Sequence, residues 1–481
     1  YENAIRKAVI YYRAARKLQD PNQDDLLTTA VFRDNTPMSL HFIMFMPAIL
    51  GMGTEEQKTR WMKRASNLEI IGTYAQTELG HGTFIRGLET TATYDPSTEE
   101  FVLHSPTLTA YKWWPGNLGH TVNYCIVMAQ LHSNGKKCGI QPFIGQIRDE
   151  ETHMPLPGIK VGEIGAKMAF NTVNNGFLGF EHHRIPRNQI NVSWFSFMVL
   201  SYGTMVFVRV AIVNDMANRL GLAATIAVRY AAIRRQSQEP EPQILDYVTQ
   251  QHKLFIAIAS SYAFSLTASW LWDLFSKVNK DLLHALACGL KATASSDASS
   301  MIEKCRLACG GHGVMLSSNL PQAYGLATAA CTYEGENTVM MLQTASSNAA
   351  LFQAHCRAVI LLNTHNEVKA KASKSSSVRK VLDNLLELYA VYWALERLGD
   401  LLDVVELRHK YETLLEQIRP NAVGLVDAFD FRDEILNSTL GSYDGRVYER
   451  LMEEALKSPL NKEPVNKSFH RYLKPFMQGK L

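Results

Sequence analysis

Residues Cys331 to Thr338 read Cys-Thr-Tyr-Glu-Gly-Glu-Asn-Thr, and the rest of the chain is organised around them. Glu334 stands at the centre, between Tyr333 and Gly335. A carboxylate beside a glycine can reach into a pocket without steric obstruction from its neighbour. A second carboxylate, Glu336, comes just before a helical pattern that starts at Asn337. There an acidic side chain can meet the positive end of the helix dipole. Taken alone, the stretch reads as a polar loop at a helix entry.

Working upstream, three further motifs stand out. Cys309-Gly310-Gly311-His312-Gly313 interrupts a helical region. Arg234-Arg235-Gln236-Ser237 lies near the end of another helix. Tyr74-Ala75-Gln76-Thr77-Glu78-Leu79-Gly80-His81-Gly82-Thr83 follows an apolar strand. In this last motif small residues let backbone amides approach a planar ring, and threonine hydroxyls can hydrogen-bond its edge. Paired arginines at a helix end are usually solvated. A buried pyrophosphate would need such a partner, because arginine binds phosphate through paired N–H donors.

The patterning around these motifs sets the architecture. Residues 2–19, 38–50 and 54–61 have helical spacing, with Thr54-Glu55-Glu56-Gln57 as a capping box and Pro47 as a kink. Short strands follow at 70–75, 90–94, 100–104, 124–131, 139–147 and 177–185, with Asp95-Pro96-Ser97-Thr98 as a hairpin turn. Strands without intervening helices predict a β-barrel or sandwich. Long helices over 210–235, 247–277 and 282–308 predict an antiparallel bundle. Helices are further expected over 337–345, 381–403, 411–418 and 447–456, with a turn at Asn319-Leu320-Pro321.

Composition excludes several classes. A net charge of +3 over 481 residues argues against nucleic-acid binding by charge. The seven cysteines match no zinc spacing, so no metal site is expected. Adjacent His182 and His183 point to opposite faces of a strand and make poor chelators, so both are read as surface residues. Leu254 to Trp272 has the length of a membrane span and no charged side chain, but its serines and threonines fit a buried bundle helix better. Arg209 is a lone charge on an apolar run and needs an anionic partner, either a structural carboxylate or a substrate group. The basic stretch 369–380 reads as a solvated linker or as an anion site for a nucleotide or CoA phosphate.

Together, and in this order, the four motifs resemble those of the peroxisomal acyl-CoA oxidases, flavoenzymes of the acyl-CoA dehydrogenase superfamily. The resemblance covers nearly the whole chain. It implies an α+β multidomain fold: an N-terminal helical domain (1–66), a β-barrel-like, flavin-facing domain (67–200), a helical bundle carrying the base (201–345) and a C-terminal helical domain (346–481). It also implies FAD as cofactor, acyl-CoA and O2 as substrates, and a dimer, with a heterodimer of related oxidases as a variant.

Residue by residue, the resemblance makes Glu334 the general base. It gives the flavin Tyr74, Ala75, Gln76, Thr77, Gly82, Thr83 and Gly116, the last within Trp113-Trp114-Pro115-Gly116, a second wall of the site. Arg234, Gln250, Gln251, His252, Lys253, Gly310 and Gly311 would reach the flavin nucleotide of a neighbouring subunit. Tyr202, Arg209 and Gly335 would meet the acyl-CoA. Gly479-Lys480-Leu481 resembles a peroxisomal address, with glycine in place of serine.

Two departures accompany the resemblance. The family carries a longer loop between Phe195 and Tyr202, and more sequence before Tyr1 and after Ala345. Two alternatives stay open: a dehydrogenase that uses a carrier flavoprotein, and a non-catalytic acyl-CoA-binding subunit.

Overall fold

The computed structural model describes residues 1–18, 31–32, 34–189, 196–277, 280–344, 349–371, 376–398, 404–462 and 464–478. Among the described residues the first α-helices are α1 (Glu2–Leu18), α2 (Met46–Met52) and α3 (Glu55–Ser66). The expected capping box opens α3, with the Thr54 and Gln57 side chains each accepting from the other's backbone N–H. Pro47 sits in the first turn of α2 within one unbroken helical run, and the preceding His41–Phe45 is a π-helical turn, an irregularity of the kind that accompanies a kink.

Nine strands follow: β1 (Gly72–Ala75), β2 (Thr91–Asp95), β3 (Glu100–His104), β4 (Lys112–Trp113), β5 (Tyr124–Ser133), β6 (Lys136–Gln146), β7 (Ile159–Glu163), β8 (Gly176–Phe180) and β9 (His183–Pro186). They make a six-stranded and a three-stranded sheet. β5 is the hub of the larger one. Its first half pairs with β1 in parallel, its second half with β2 in parallel, and β6 runs antiparallel beside it. Cys125, Val127 and Ala129 therefore point into one core with Phe143, Leu178 and Phe180.

The segment expected as one strand over 177–185 is two, β8 and β9, broken at Glu181-His182. His182 has φ 52° and stacks on His104. His183 is not a surface residue. It is buried, with Nδ1 against the Pro157 carbonyl, because its strand faces the domain core at that register.

The chain then becomes helical: α4 (Ser196–Ile233), α5 (Val248–Lys277), α6 (Lys280–Ala308), α7 (Leu320–Ala330), α8 (Asn337–Thr344), α9 (Ala349–Lys371), α10 (Ser376–Leu398), α11 (Val404–Ile418), α12 (Ala422–Asp427), α13 (Asp433–Leu436), α14 (Val447–Leu456) and α15 (Lys474–Met477). One continuous core joins α4, α5 and α6 with the C-terminal helices. The apolar α5 lies inside it, with Leu254, Phe255, Ile258 and Phe264 fully buried. The turn expected at Asn319 opens α7: Asn319 is left-handed (φ 63°) and Pro321 sits in the first turn.

The basic stretch is less of a linker than its composition suggests. Helix α9 runs to Lys371 and α10 starts at Ser376, with 372–375 outside the described residues.

Candidate active site and flavin-facing surfaces

The predicted site residues fall into three groups. The first joins the two stretches expected to face the flavin. The Thr73 hydroxyl donates to the Gly116 carbonyl (2.7 Å), and the Trp113 N–H donates to the Thr77 carbonyl (3.0 Å). Lys112, missed in the sequence, underlies both. Its fully buried ammonium donates to Glu78 (2.9 Å), to the Met128 carbonyl (2.7 Å) and to the Gln76 carbonyl (3.2 Å). Glu78 is buried too, and accepts from the Thr90 hydroxyl and N–H and from the Glu89 N–H.

Burial alone would raise the Glu78 pKa. The Lys112 charge and these donors outweigh it and hold the carboxyl below its usual range. Burial pushes Lys112 down to about 8.

Above this base the surface is open. Gly82 and Thr83 are exposed, and a Cβ added at Gly82 would meet nothing within 4 Å. Gly116 is small for another reason than ligand approach: a Cβ there would strike Val173 (2.7 Å) and Leu40 (2.9 Å). Ala75 is fully buried, so only its backbone can face a ligand. Tyr74 packs against the bundle core, and its hydroxyl donates to Gln76 (3.2 Å). Trp113 stacks on Phe177, while Trp114 is exposed with φ 85°.

The second group surrounds Glu334. This residue is left-handed (φ 57°) and Gly335 has φ 103°. Glycine is favoured at 335 by conformation, and a Cβ there would crowd the thioether end of Met340. Arg209, on α4, donates from Nε to the Glu334 carbonyl (3.0 Å) and from Nη1 to Cys288 Sγ (3.1 Å). Lys291, on α6, donates to the Gly335 carbonyl (2.7 Å) and to Asn337 Oδ1 (3.1 Å).

The lone cation on the apolar run is thus turned to the Glu334 loop. Burial raises the Glu334 pKa, opposed by Arg209 and Lys291. Tyr333 packs edge-on against Phe170 and ties the loop to the β domain. Tyr202 lies on α4, its side chain outside the described part.

Glu336 does the other job. It is exposed and accepts from the Thr338 N–H (2.9 Å) and the Val339 N–H (3.2 Å), capping α8. These bonds, Thr338 first, hold its carboxyl below the usual range.

The third group gathers at the end of α4. Arg234 is half-buried beside Tyr448 and Tyr230, whose hydrogen bond and charge raise its pKa. The Tyr230 hydroxyl meets His312 Nδ1 (2.9 Å). Gly310 and Gly311 are exposed, and a Cβ at either would meet nothing within 4 Å. Gln250 donates to the Ala308 carbonyl (3.1 Å), while its buried Oε1 has no hydrogen-bond partner.

Gln251 is not in this group. It is buried and donates inward to the Leu245 carbonyl (3.1 Å). His252 meets the Tyr411 hydroxyl (2.8 Å) instead, and Lys253 is its partly exposed neighbour. The tail Gly479-Lys480-Leu481 lies outside the described residues.

The same chain can be compared with known proteins. Residues 1–71 match the family model for the acyl-coenzyme A oxidase N-terminal region, 202–348 that for the acyl-CoA oxidase C-alpha1 domain, and 328–478 that for acyl-CoA oxidase. Acyl-coenzyme A oxidase 1 of Drosophila melanogaster is 41% identical over 604 aligned positions, covering 100% of this chain and 90% of the relative. Peroxisomal acyl-coenzyme A oxidase 1 of Homo sapiens is 38% identical, covering 100% and 91%. Those alignments are much longer than this chain of 481 residues, so part of each relative faces gaps here.

Among solved structures, acyl-CoA oxidase 1 of Arabidopsis thaliana superposes with TM-score 0.93 at 36% identity, over 99% of this chain and 90% of that one. Acyl-CoA oxidase-1 of Caenorhabditis elegans, solved with FAD and ATP, gives 0.92 at 35%, over 99% and 89%. Matches along the helical start, the bundle and the C-terminal region, with full-length relatives well above chance identity, lead to one conclusion: this chain belongs to the acyl-CoA oxidase family.

Proposed function

We propose that the protein is an FAD-dependent acyl-CoA oxidase with Glu334 as general base. It converts acyl-CoA and O2 to trans-2-enoyl-CoA and H2O2, the first step of peroxisomal fatty-acid β-oxidation. The observation that carries the assignment of the base is Glu334 itself: a carboxyl group in a left-handed turn, anchored through its backbone by a buried arginine. Glu334 takes the α-proton on its carboxylate. Burial makes that carboxylate a stronger base than a solvated one. The chemistry a bound FAD would supply is acceptance of the β-hydrogen as hydride and an electron path to O2.

The residues present fit FAD. Gly82 and Thr83 offer an open, small-residue surface for the ring, with the side chains of Gln76 and Thr77 beside it. Arg234, Gly310, Gly311 and the unpaired Gln250 Oε1 offer a cation, open backbone and a free polar atom for the nucleotide. The acyl-CoA would lie along Tyr202 and Gly335, while Arg209, almost fully buried and bonded to the Glu334 carbonyl, braces the loop and not the substrate.

The nucleotide group serves the flavin of a second copy, so the working unit is a dimer. Exposed apolar side chains flank that group in sequence, among them Val248, Leu307, Val314 and Leu316, exposed Tyr448 lies beside Arg234, and a neighbouring subunit would cover them. Peroxisomal entry through Gly479-Lys480-Leu481 follows from the same reading. A reporter carrying this tail should lose peroxisomal signal when Lys480 and Leu481 are removed.

The direct test is peroxide release from the purified yellow protein, mixed with an acyl-CoA panel without added acceptor. Peroxide in step with enoyl-CoA is expected. Turnover only with a carrier flavoprotein would make it a dehydrogenase. A spectrum without flavin bands would revive the non-catalytic subunit.

A further inference from the structure

We infer that Lys291, with Arg209, is a positioning residue for Glu334: cations from two different helices hold the consecutive carbonyls of Gly335 and Glu334, and so fix the left-handed turn that aims the Glu334 carboxyl group. The inference rests on Glu334 being the base.

A residue other than glycine in the left-handed region costs of order 1–3 kcal/mol and persists only where its surroundings over-determine it. Here the surroundings are specific. Arg209 Nε fixes the Glu334 carbonyl at 3.0 Å, and Lys291 Nζ fixes the Gly335 carbonyl at 2.7 Å. Lys291 also reaches Asn337 Oδ1 at 3.1 Å, and Asn337 Nδ2 donates to Ser295 Oγ (2.9 Å) and the Ala292 carbonyl (3.2 Å). The loop is thereby clamped to α6 at both Gly335 and Asn337.

Arg209 is almost fully buried and Lys291 fully so, among Ala287, Leu290 and Ala294 on its own helix. An ammonium in such a place is costly to desolvate. A helix selected for packing alone would carry an apolar residue there.

The cations also act on the carboxyl group through space. The charged and titratable groups facing Glu334 are Arg209 on α4, Lys291 on α6 and Tyr333 in the loop itself. Burial raises the Glu334 pKa, and the two cations pull it back. Removing one cation should therefore raise it further and narrow the pH range in which the base is ionised.

The test compares Lys291→Met, Lys291→Gln and Arg209→Gln with the parent. Flavin bleaching by acyl-CoA is followed anaerobically across pH. Lys291→Met should keep its flavin spectrum, reduce about 10–100-fold more slowly, and move the acid limb of the profile to higher pH. Lys291→Gln can still donate to the Gly335 carbonyl but carries no charge. It should recover part of the rate and leave the limb displaced.

A readout free of turnover is amide exchange in the FAD-free protein. Residues 335–339 should exchange faster in Lys291→Met, with the rest of α6 unchanged. A parental rate, limb and exchange pattern in Lys291→Met would overturn the inference. So would a rate loss that only tracks the folded fraction while the limb stays in place. If neither Lys291 variant folds, Arg209→Gln decides on the same readouts. Glu334→Gln is run in parallel. Fast bleaching there would remove the base assignment, whereas slow bleaching there with a parental Lys291→Met would remove only the positioning role.

Discussion

Among the described residues two lysines are fully buried, Lys112 in the β domain and Lys291 in the bundle, and both are pushed down to about 8 by burial. Their partners differ. Lys112 faces a buried carboxylate, Glu78, at 2.9 Å, so the two charges largely cancel. Lys291 is held by a backbone carbonyl and an amide oxygen, and its field still acts on Glu334. The first arrangement braces a surface on which a planar ring can rest. The second leaves a positive charge near the carboxylate of the proposed base. On the proposed reading, the buried cation with an ionic partner serves the scaffold, and the one without a carboxylate in hydrogen-bond reach serves the proposed base.

The largest effect should come from breaking the cancelled pair. Lys112→Met leaves Glu78 buried without its cation, which typically costs about 3–5 kcal/mol. Chemical denaturation should show that loss, and the double change Lys112→Met with Glu78→Gln should recover much of it. Equal stability of single and double variants would mean that the pair is not coupled.

Next is the nucleotide group. Arg234→Ala should purify with much less FAD, because the proposed pyrophosphate contact loses its paired N–H donors. Full yellow colour after dilution and gel filtration would count against that role.

Gly335→Ala sharpens the Glu334 side of the comparison. It places a Cβ against Met340 in a left-handed residue, for about 1–2 kcal/mol from conformation alone. It should slow flavin reduction while keeping FAD. Gly82→Ala, with open space around it, should leave stability unchanged and change only FAD retention.

The smallest effect is on stability against pH. The pKa of Glu334 is raised in the folded state, so its ionisation works against folding. That cost is absent below the unfolded-state pKa, and grows as pH rises through the folded one. Glu334→Gln should thus be at least as stable as the parent at pH 7, with the difference vanishing in acid. A variant less stable at pH 7 would contradict this.

The sequence exposed most of the fold and part of the site. Capping at Thr54, the turn at Asp95 and the breaks at Gly310 and Asn319 are local chemistry, and they appear where expected. Strands β4 and β7 were not visible, because a two-residue strand has no period and Ile159–Glu163 carries only a weak one. Helices α7 and α9 were missed as well. The first lies behind a turn signal and the second carries only a weak helical period.

Glu334, Glu336 and Arg209 could be singled out because a carboxylate by glycine and a charge in an apolar run are anomalies in one dimension. Lys112 and Lys291 could not. Each lies beside residues that make a lysine look unremarkable, and its meaning comes from carbonyls 36 and 44 residues away. His183 and Gln251 failed for the converse reason: polar residues at accessible-looking positions proved to be buried.

The central claim is that two carboxylates two residues apart do different work, one as base and one as helix cap. Anaerobic stopped-flow mixing of FAD-loaded enzyme with an acyl-CoA tests it directly. Glu334→Gln should lose flavin reduction by on the order of 10²–10⁴-fold or more while still binding substrate. Glu336→Gln should keep most of the parental rate. In the parent, reduction should fail as pH drops through a midpoint above the ordinary carboxylate range, since burial raises the pKa of Glu334. Fast bleaching in Glu334→Gln with slow bleaching in Glu336→Gln would reverse the two roles. Fast bleaching in both would place the base elsewhere in the chain.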